Sequence, residues 1–224
     1  MTTTGTYAFA PSAGDLILNA FGMIQIRRPQ LTQEHLENAY SAASMVMVDF
    51  SNRNPNRWAM ETQDIALVQG VPTYNLTTRT LAIALAYIDT TNSGGIVTSR
   101  VLGPLSATDY GSMPVKLMQG PPTSFFFNLL TPTPTVSVWP CPDGNGPYLL
   151  RLQTFRQMQD VQLAGGVGID TPFRFLDAAL FGIASRLAVY YPTTPPALSA
   201  ADLDTAYLAK FALAAQRDQE STPM

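Results

Sequence analysis

At 224 residues, 46% apolar and 13% charged with a net charge of −3, the chain can bury a sizeable core but lacks the basic face of a nucleic-acid binder. Charged residues stand at about half the usual ~25% share, so the surface is either polar without charge or covered in an assembly. One cysteine, Cys141, excludes an intramolecular disulfide framework, and with the lone His35 it excludes a Cys/His zinc site within one chain.

The Thr-rich opening Met1–Pro11 has neither the basic start nor the apolar run of a signal peptide. No apolar stretch approaches the ~20 residues of a membrane span, and the expectation is a soluble chain made in the cytosol. Helical signals come first. Ser12 is a helix cap with Asp15 in capping-box position, followed by Leu16, Ile17, Ala20, Phe21 and Ile24 on one face. Thr32 caps a longer helix in which Leu36, Ala39, Tyr40, Ala43, Met47 and Phe50 form the apolar side, ending near Ser51–Pro55.

From about Ile65 to Phe155 short β-like runs alternate with Gly, Pro, Asn and Thr clusters. The expected strands are Ile65–Gln69, Thr73–Leu76, Leu81–Ile88, Ile96–Leu102, Phe125–Leu130, Thr135–Trp139 and Tyr148–Phe155. Asp143-Gly144 within Pro140–Pro147 predicts a hairpin between the last two. Ser106 and Asp109 repeat the capping-box spacing and start a short helix through Tyr110. Thr171-Pro172 then predicts a cap and a first-turn proline for a helix whose stripe is Leu176, Ala179, Leu180, Ile183, Ala184, Leu187, Ala188 and Tyr191, with Asp170 near the positive end of its dipole and Pro192 as its stop. Ser199 with Asp202 opens a last helix carrying Leu203, Tyr207, Phe211 and Ala214, and Arg217–Met224 has nothing to bury.

Helices at both ends meet only if the β segment loops out between them. The expected fold is therefore α+β: a helical bundle built from N- and C-terminal helices with an inserted antiparallel β-rich domain. The expected divisions are 1–60, 61–160, 161–216 and a polar tail at 217–224.

Candidate chemistry is sparse. His35 reads as an exposed helix-start residue without a nucleophile or metal partner. Cys141, in Trp139-Pro140-Cys141-Pro142, reads as a buried thiol with nothing basic to activate it. Glu34 and Glu37 read as solvated helix charges. Gly165-Gly166-Val167-Gly168 has no lysine and leads to Asp170, which suits a connector rather than a phosphate loop. In Phe125-Phe126-Phe127 alternate side chains must take opposite faces of a strand, so both faces are covered or one is an interface.

Several weak motifs in order resemble one family. They are Asp15-Leu-Ile-Leu-Asn-Ala-Phe-Gly-Met-Ile24, Leu31-Thr-Gln-Glu34, Asn56-Arg57-Trp58 and Gly70-Val-Pro-Thr-Tyr-Asn-Leu76. After these come Gly103-Pro-Leu-Ser-Ala-Thr-Asp-Tyr110, Gly120-Pro121-Pro122 with its aromatic strand, Val138-Trp139-Pro140-Cys141-Pro142, and the Pro172–Tyr191 helix. Over roughly Ala13 to Arg217 this order resembles the head-to-tail adaptors (tail accessory factors, tail tubular protein A-like) of short-tailed bacteriophages. No catalytic residue and no cofactor or metal ligand carries over.

The resemblance implies a structural, non-enzymatic virion protein of the neck or tail, made in the host cytoplasm. It implies an oligomeric ring, usually a dodecamer, seated under the portal protein and receiving tail nozzle or tail fibre proteins. Double-stranded DNA would pass through without sequence-specific binding, and no membrane would be involved. A mildly acidic protein can surround moving DNA, because a surface that repels phosphate does not trap it. The implied portal contacts are Gln216, Arg217, Asp218, Gln219 and Glu220. Subunit or tail contacts fall on Phe125, Phe126, Phe127 and Trp139. Other readings are a tail-tube, stopper or minor capsid protein, a tail-borne cell-wall hydrolase needing a facing acidic pair from residues such as Glu34, Glu61 and Asp64, or a cellular binding domain.

Overall fold

The computed structural model describes residues 9–53, 57–91, 94–162, 166–192 and 198–216. The fold is α+β, and the chain divides into two compact units. A helical unit joins the residues up to Trp58 with those from Met158 onward, and a β unit comprises Ala59–Gln157.

In the helical unit, α1 (Ala13–Met23) and α2 (Gln33–Asn52) start as their caps dictate. The Asp15 amide donates to Ser12 Oγ at 3.1 Å, while the Asp15 carboxylate accepts from the Ser12 amide at 3.2 Å. At α2 the His35 amide donates to Thr32 Oγ1, and His35 Nδ1 accepts from the Thr32 amide at 3.3 Å. Each box satisfies two of the amides that a helix start leaves without intrahelical partners. His35 is thus only half exposed, stacked on Tyr191 at 4.4 Å rather than free at a helix start.

The buried stripe of α2 is Ala39, Ala42, Ala43, Val46, Met47 and Phe50, whereas Leu36 and Tyr40 are exposed. Small residues cause that rotation. α2 packs on α4 (Leu176–Tyr190), where a side chain at Gly182 would begin 3.1 Å from Tyr207 and 3.3 Å from Val46. The helices approach closely along alanine and glycine, and the larger Leu36 and Tyr40 turn outward. α4 packs against α1, α2 and α5 (Ala200–Gln216) and is the hub of the unit.

The start of α4 corrects the expectation at Thr171-Pro172. Pro172 caps a 3-10 turn over Phe173–Phe175 with no side-chain bond, and the α-helix begins only at Leu176. The tight turn drops Phe175 into the core, where it lies 4.3 Å from Trp58, 5.4 Å from Phe211 and 5.9 Å from Phe50. Burying one aromatic ring outweighs an ideal cap here, since a fully buried large side chain is worth about 1.5–3 kcal/mol and a cap about 1 kcal/mol. The Asp170 carboxylate accepts from the Gln159 amide at 3.0 Å. α5 follows its signal: the Asp202 amide donates to Ser199 Oγ, and the Asp202 carboxylate accepts from the Ser199 amide, both at 3.1 Å.

The β unit holds β1 (Met60–Ala66), β2 (Thr73–Asn75), β3 (Thr80–Thr91), β4 (Val97–Val101), β5 (Gly103–Leu105), α3 (Ala107–Ser112), β6 (Ser124–Asn128), β7 (Thr135–Trp139) and β8 (Tyr148–Arg156). Two four-stranded sheets, in the orders β1-β8-β3-β4 and β2-β7-β6-β5, enclose one core of Leu76, Ala86, Ile88, Leu102, Phe125, Val136, Val138, Tyr148, Leu150 and Leu152. All pairings are antiparallel except β5 with β6.

β7 and β8 are not a hairpin: they belong to different sheets. Pro140, Pro142 and Pro147 have no amide to extend a ladder, and the Asp143 side chain shapes the connection by accepting from the Asn145 amide at 3.0 Å and the Tyr148 hydroxyl at 2.7 Å. The first strand lies about five residues earlier than Ile65–Gln69. Val68–Val71 instead turns away, held by the Tyr74 hydroxyl, which accepts from the Val68 amide and donates to the Val71 carbonyl, both at 2.9 Å. β5 was not expected, because its Gly-Pro-Leu composition carries no strand pattern.

Candidate functional site

No group of three or more His, Cys, Asp or Glu with metal-binding geometry occurs among the described residues, and no described helix is long and apolar enough to cross a membrane. Glu34 and Glu37 are exposed on α2, where Glu37 accepts from Gln33 Nε2 at 2.9 Å. Glu61 is held by Arg79 at 2.9 Å, and Asp64 sits on the opposite face of β1. Cys141 is fully buried, and burial pushes its thiol up, away from the reactive thiolate. In the glycine run, Gly165 lies outside the described residues, while the Val167 carbonyl accepts from the Ala13 amide at 2.8 Å.

What the chain does display is apolar surface. In the helical unit a groove of about 500 Å³ is lined by Phe9, Pro11, Leu16, Asn19, Phe173, Leu176, Asp177 and Leu180. Phe9 and Phe173 at its rim are 81% and 79% exposed, among the most exposed large apolar side chains described. The 3-10 turn explains the pair of phenylalanines: it sends Phe175 inward and Phe173 outward.

The aromatic run behaves as strand geometry requires. Phe125 is buried in the sandwich core, Phe127 packs against that core, and Phe126 points the other way, stacked on Tyr110 at 4.9 Å. Lys116 covers the Tyr110 ring at 5.4 Å. Half-buried Trp139 donates from Nε1 to the Val115 carbonyl at 3.2 Å, beside the exposed Val115, Leu117 and Met118. Phe126, Tyr110, Trp139 and the 115–118 segment thus expose aromatic and aliphatic surface on the β unit. Gln216, the exposed last residue of α5, is described; Arg217, Asp218, Gln219 and Glu220 lie outside the described residues.

Two ionisable clusters brace the units. In the helical unit burial would raise the Asp49 carboxyl, but the Tyr207 hydroxyl and the Arg53 guanidinium outweigh it and hold it below the usual range. Arg53 is 2.9 Å and Arg186 3.8 Å from that carboxylate. Burial first, and Asp49 second, push the Tyr207 hydroxyl up. In the β unit burial, then the Asp143 carboxylate, push Tyr148 up to about 12. Neither cluster pairs a nucleophile with a base: the first ties α2 to α4 and α5, and the second ties the β7–β8 connection to the start of β8.

Sequence reasoning missed the groove, the Tyr110–Phe126 stack and the Asp49 cluster. An aromatic at Phe9 within a Thr-rich arm, and phenylalanines two apart at Phe173 and Phe175, were the available signals. The chain matches no family model, and no curated protein matches it. A solved structure described as "Neck of empty GTA particle computed with C6 symmetry" is similar over 94% of this chain and 95% of that chain, at 9% identity and a TM-score of 0.28.

Proposed function

We propose that the chain is a structural subunit of a virion neck, a head-to-tail connector that assembles into a ring between the portal and the tail. The observation that carries the reading is the order of the adaptor-like motifs along the sequence. Exposed apolar surface on a chain with few charges supports it: monomeric proteins seldom leave rims such as Phe9 and Phe173 uncovered, and interface cores are rich in aromatics and poor in charge. The paired clusters around Asp49 and Asp143 suit bracing rather than catalysis.

In this reading the ring is a dodecamer and DNA passes through it during ejection without sequence-specific contacts. The segment Gln216–Glu220 contacts the portal protein. Phe126 and Trp139 face a neighbouring subunit or the tail nozzle, while Phe125 and Phe127 stay with their own core. A heterologous contact that closes on itself makes a ring rather than a fibre.

Native mass spectrometry of the full chain, alone and with its portal protein, tests this. A closed ring, or a monomer that assembles on the portal, is expected; a monomer that ignores the portal overturns the reading. Deleting 217–224 should abolish portal binding while leaving the helical content intact, and unchanged binding removes the assignment of the tail.

A further inference from the structure

The two sheets of the β unit treat their edges differently. The edge strands of the β2-β7-β6-β5 sheet have three residues each, and β5 carries Pro104. Short strands and proline are how natural sheets block edge-to-edge pairing. The β1-β8-β3-β4 sheet has no such protection: β1 has seven residues and β4 five, and neither contains Lys or Pro.

The registers show which backbone groups those edges present. The Leu102 amide donates to the Ala86 carbonyl, so in the β3–β4 ladder Thr98 and Arg100 also point their amides and carbonyls inward. Val97, Ser99 and Val101 point theirs out. The Leu67 amide likewise donates to the Tyr148 carbonyl, which sets Glu61, Gln63 and Ile65 inward and Met60, Thr62, Asp64 and Ala66 outward. Among the described residues, the outward backbone groups of Val97, Ser99 and Val101, and of Thr62, Asp64 and Ala66, have no hydrogen-bond partner.

We infer that the β4 edge of one copy pairs with the β1 edge of the next, joining their four-stranded sheets into one. This rests on the connector reading and supplies one of its subunit contacts. Direction agrees: with four strands and every neighbour antiparallel, β4 runs opposite to β1, so rotation about an axis along the strands brings them together antiparallel. Charge agrees as well: β1 carries Asp64 and Glu61, the latter also paired with Arg79, and no cation, and β4 carries Arg100, which also donates to the Pro122 carbonyl, and no anion.

One register satisfies all of this. Ser99 opposite Thr62 sets outward backbone against outward backbone. It also places Arg100 opposite Glu61 and Val101 opposite Met60, with Thr98 opposite Gln63. Leu102 and Ile65 mark the core-facing side of each strand, and Arg100 and Glu61 share that side. The contact uses two different edges of one molecule, so it propagates from copy to copy, as a ring needs. Two β4 strands paired about a two-fold axis would stop at a dimer.

The test is disulfide trapping in the full chain, where the buried native Cys141 gives no background. A hydrogen-bonded antiparallel pair stands about 5.5 Å apart at Cα, within disulfide reach. The double variant Thr62→Cys/Ser99→Cys, oxidised with and without portal protein, should give a ladder of covalent multiples. An equal mixture of the two single variants should stop at dimers, and neither single variant should crosslink alone. Ser99→Pro, which removes an outward amide and the hydroxyl that donates to Asp89 but spares the β3–β4 backbone ladder, should lose the oligomer with its circular dichroism unchanged.

A ring that forms without any ladder overturns the pairing and leaves the connector standing. A ladder from a chain that ignores the portal keeps the pairing and removes the connector. Crosslinking by Ser99→Cys alone, or full assembly of a folded Ser99→Pro variant, overturns the pairing.

Discussion

The two units bury their interiors by different means. The helical unit packs aromatic rings around small residues: Phe50 stands 5.0 Å from Phe211 and 6.1 Å from Tyr207, while Ala39, Ala43, Ala179 and Gly182 let the helices close in. The β unit has a smaller, mostly aliphatic core, where one amide serves the buried Thr80 and Thr154 hydroxyls and Thr73 serves that of Ser137. Gln63 Nε2 lies 2.8 Å from Thr80 Oγ1, 2.9 Å from Thr154 Oγ1 and 3.0 Å from Thr77 Oγ1. Distant parts of the chain make the first core, since residues before Trp58 pack on residues after Met158. The second closes within one continuous stretch. The helical unit therefore depends on long-range closure, and the β unit on strand register.

Truncating the centre of each core tests this contrast most strongly. Phe50→Ala should cost about 3–5 kcal/mol in the helical unit, and Leu152→Ala about 2–5 kcal/mol in the β unit. Urea unfolding followed by near-UV signal and by proteolysis mapping should show each loss confined to its own unit. Equal shifts of one shared transition would mean that the two cores unfold as one.

Tyr207→Phe is the next largest change. It leaves the ring and removes the hydroxyl that donates to Asp49, a bond to a charged acceptor worth about 1.5–3 kcal/mol. Asp49→Asn reads the same cluster through pH. Its carboxyl is held below the unfolded value, so its contribution is present above that value, ~3.9, and disappears as pH falls through the folded one. The stability gap between wild type and Asp49→Asn should be widest near neutrality and narrow below about pH 4. A gap that grows on acidification would contradict the assignment. The smallest effect belongs to a local signal: Thr32→Ala should lose about 1 kcal/mol, seen as fraying at the start of α2 by amide exchange.

Local signals were readable wherever three or four neighbouring residues decide the structure. Ser12 with Asp15, Thr32, Ser106 with Asp109, and Ser199 with Asp202 each mark a helix start that the structure contains. The α1 stripe from Leu16 to Ile24 is buried as its spacing dictates. The candidate surfaces were half legible. The Phe125–Phe127 run announced a strand with two demanding faces, but only the second sheet decided that Phe125 and Phe127 belong inside and Phe126 outside.

The sequence by itself determined the α+β class, the starts of α1, α2, α3 and α5 and the absence of a cysteine framework, because caps, periodicity and composition act over a few residues or over the whole chain. Tertiary structure alone decided that β7 and β8 part to different sheets, that α2 rotates Leu36 and Tyr40 outward, and that Phe175 begins its helix as a buried ring. Each of those choices is settled by burial against residues far away in the chain. Contacts of that kind outweigh a turn signal or a cap worth about 1 kcal/mol, and they leave no mark in the local pattern.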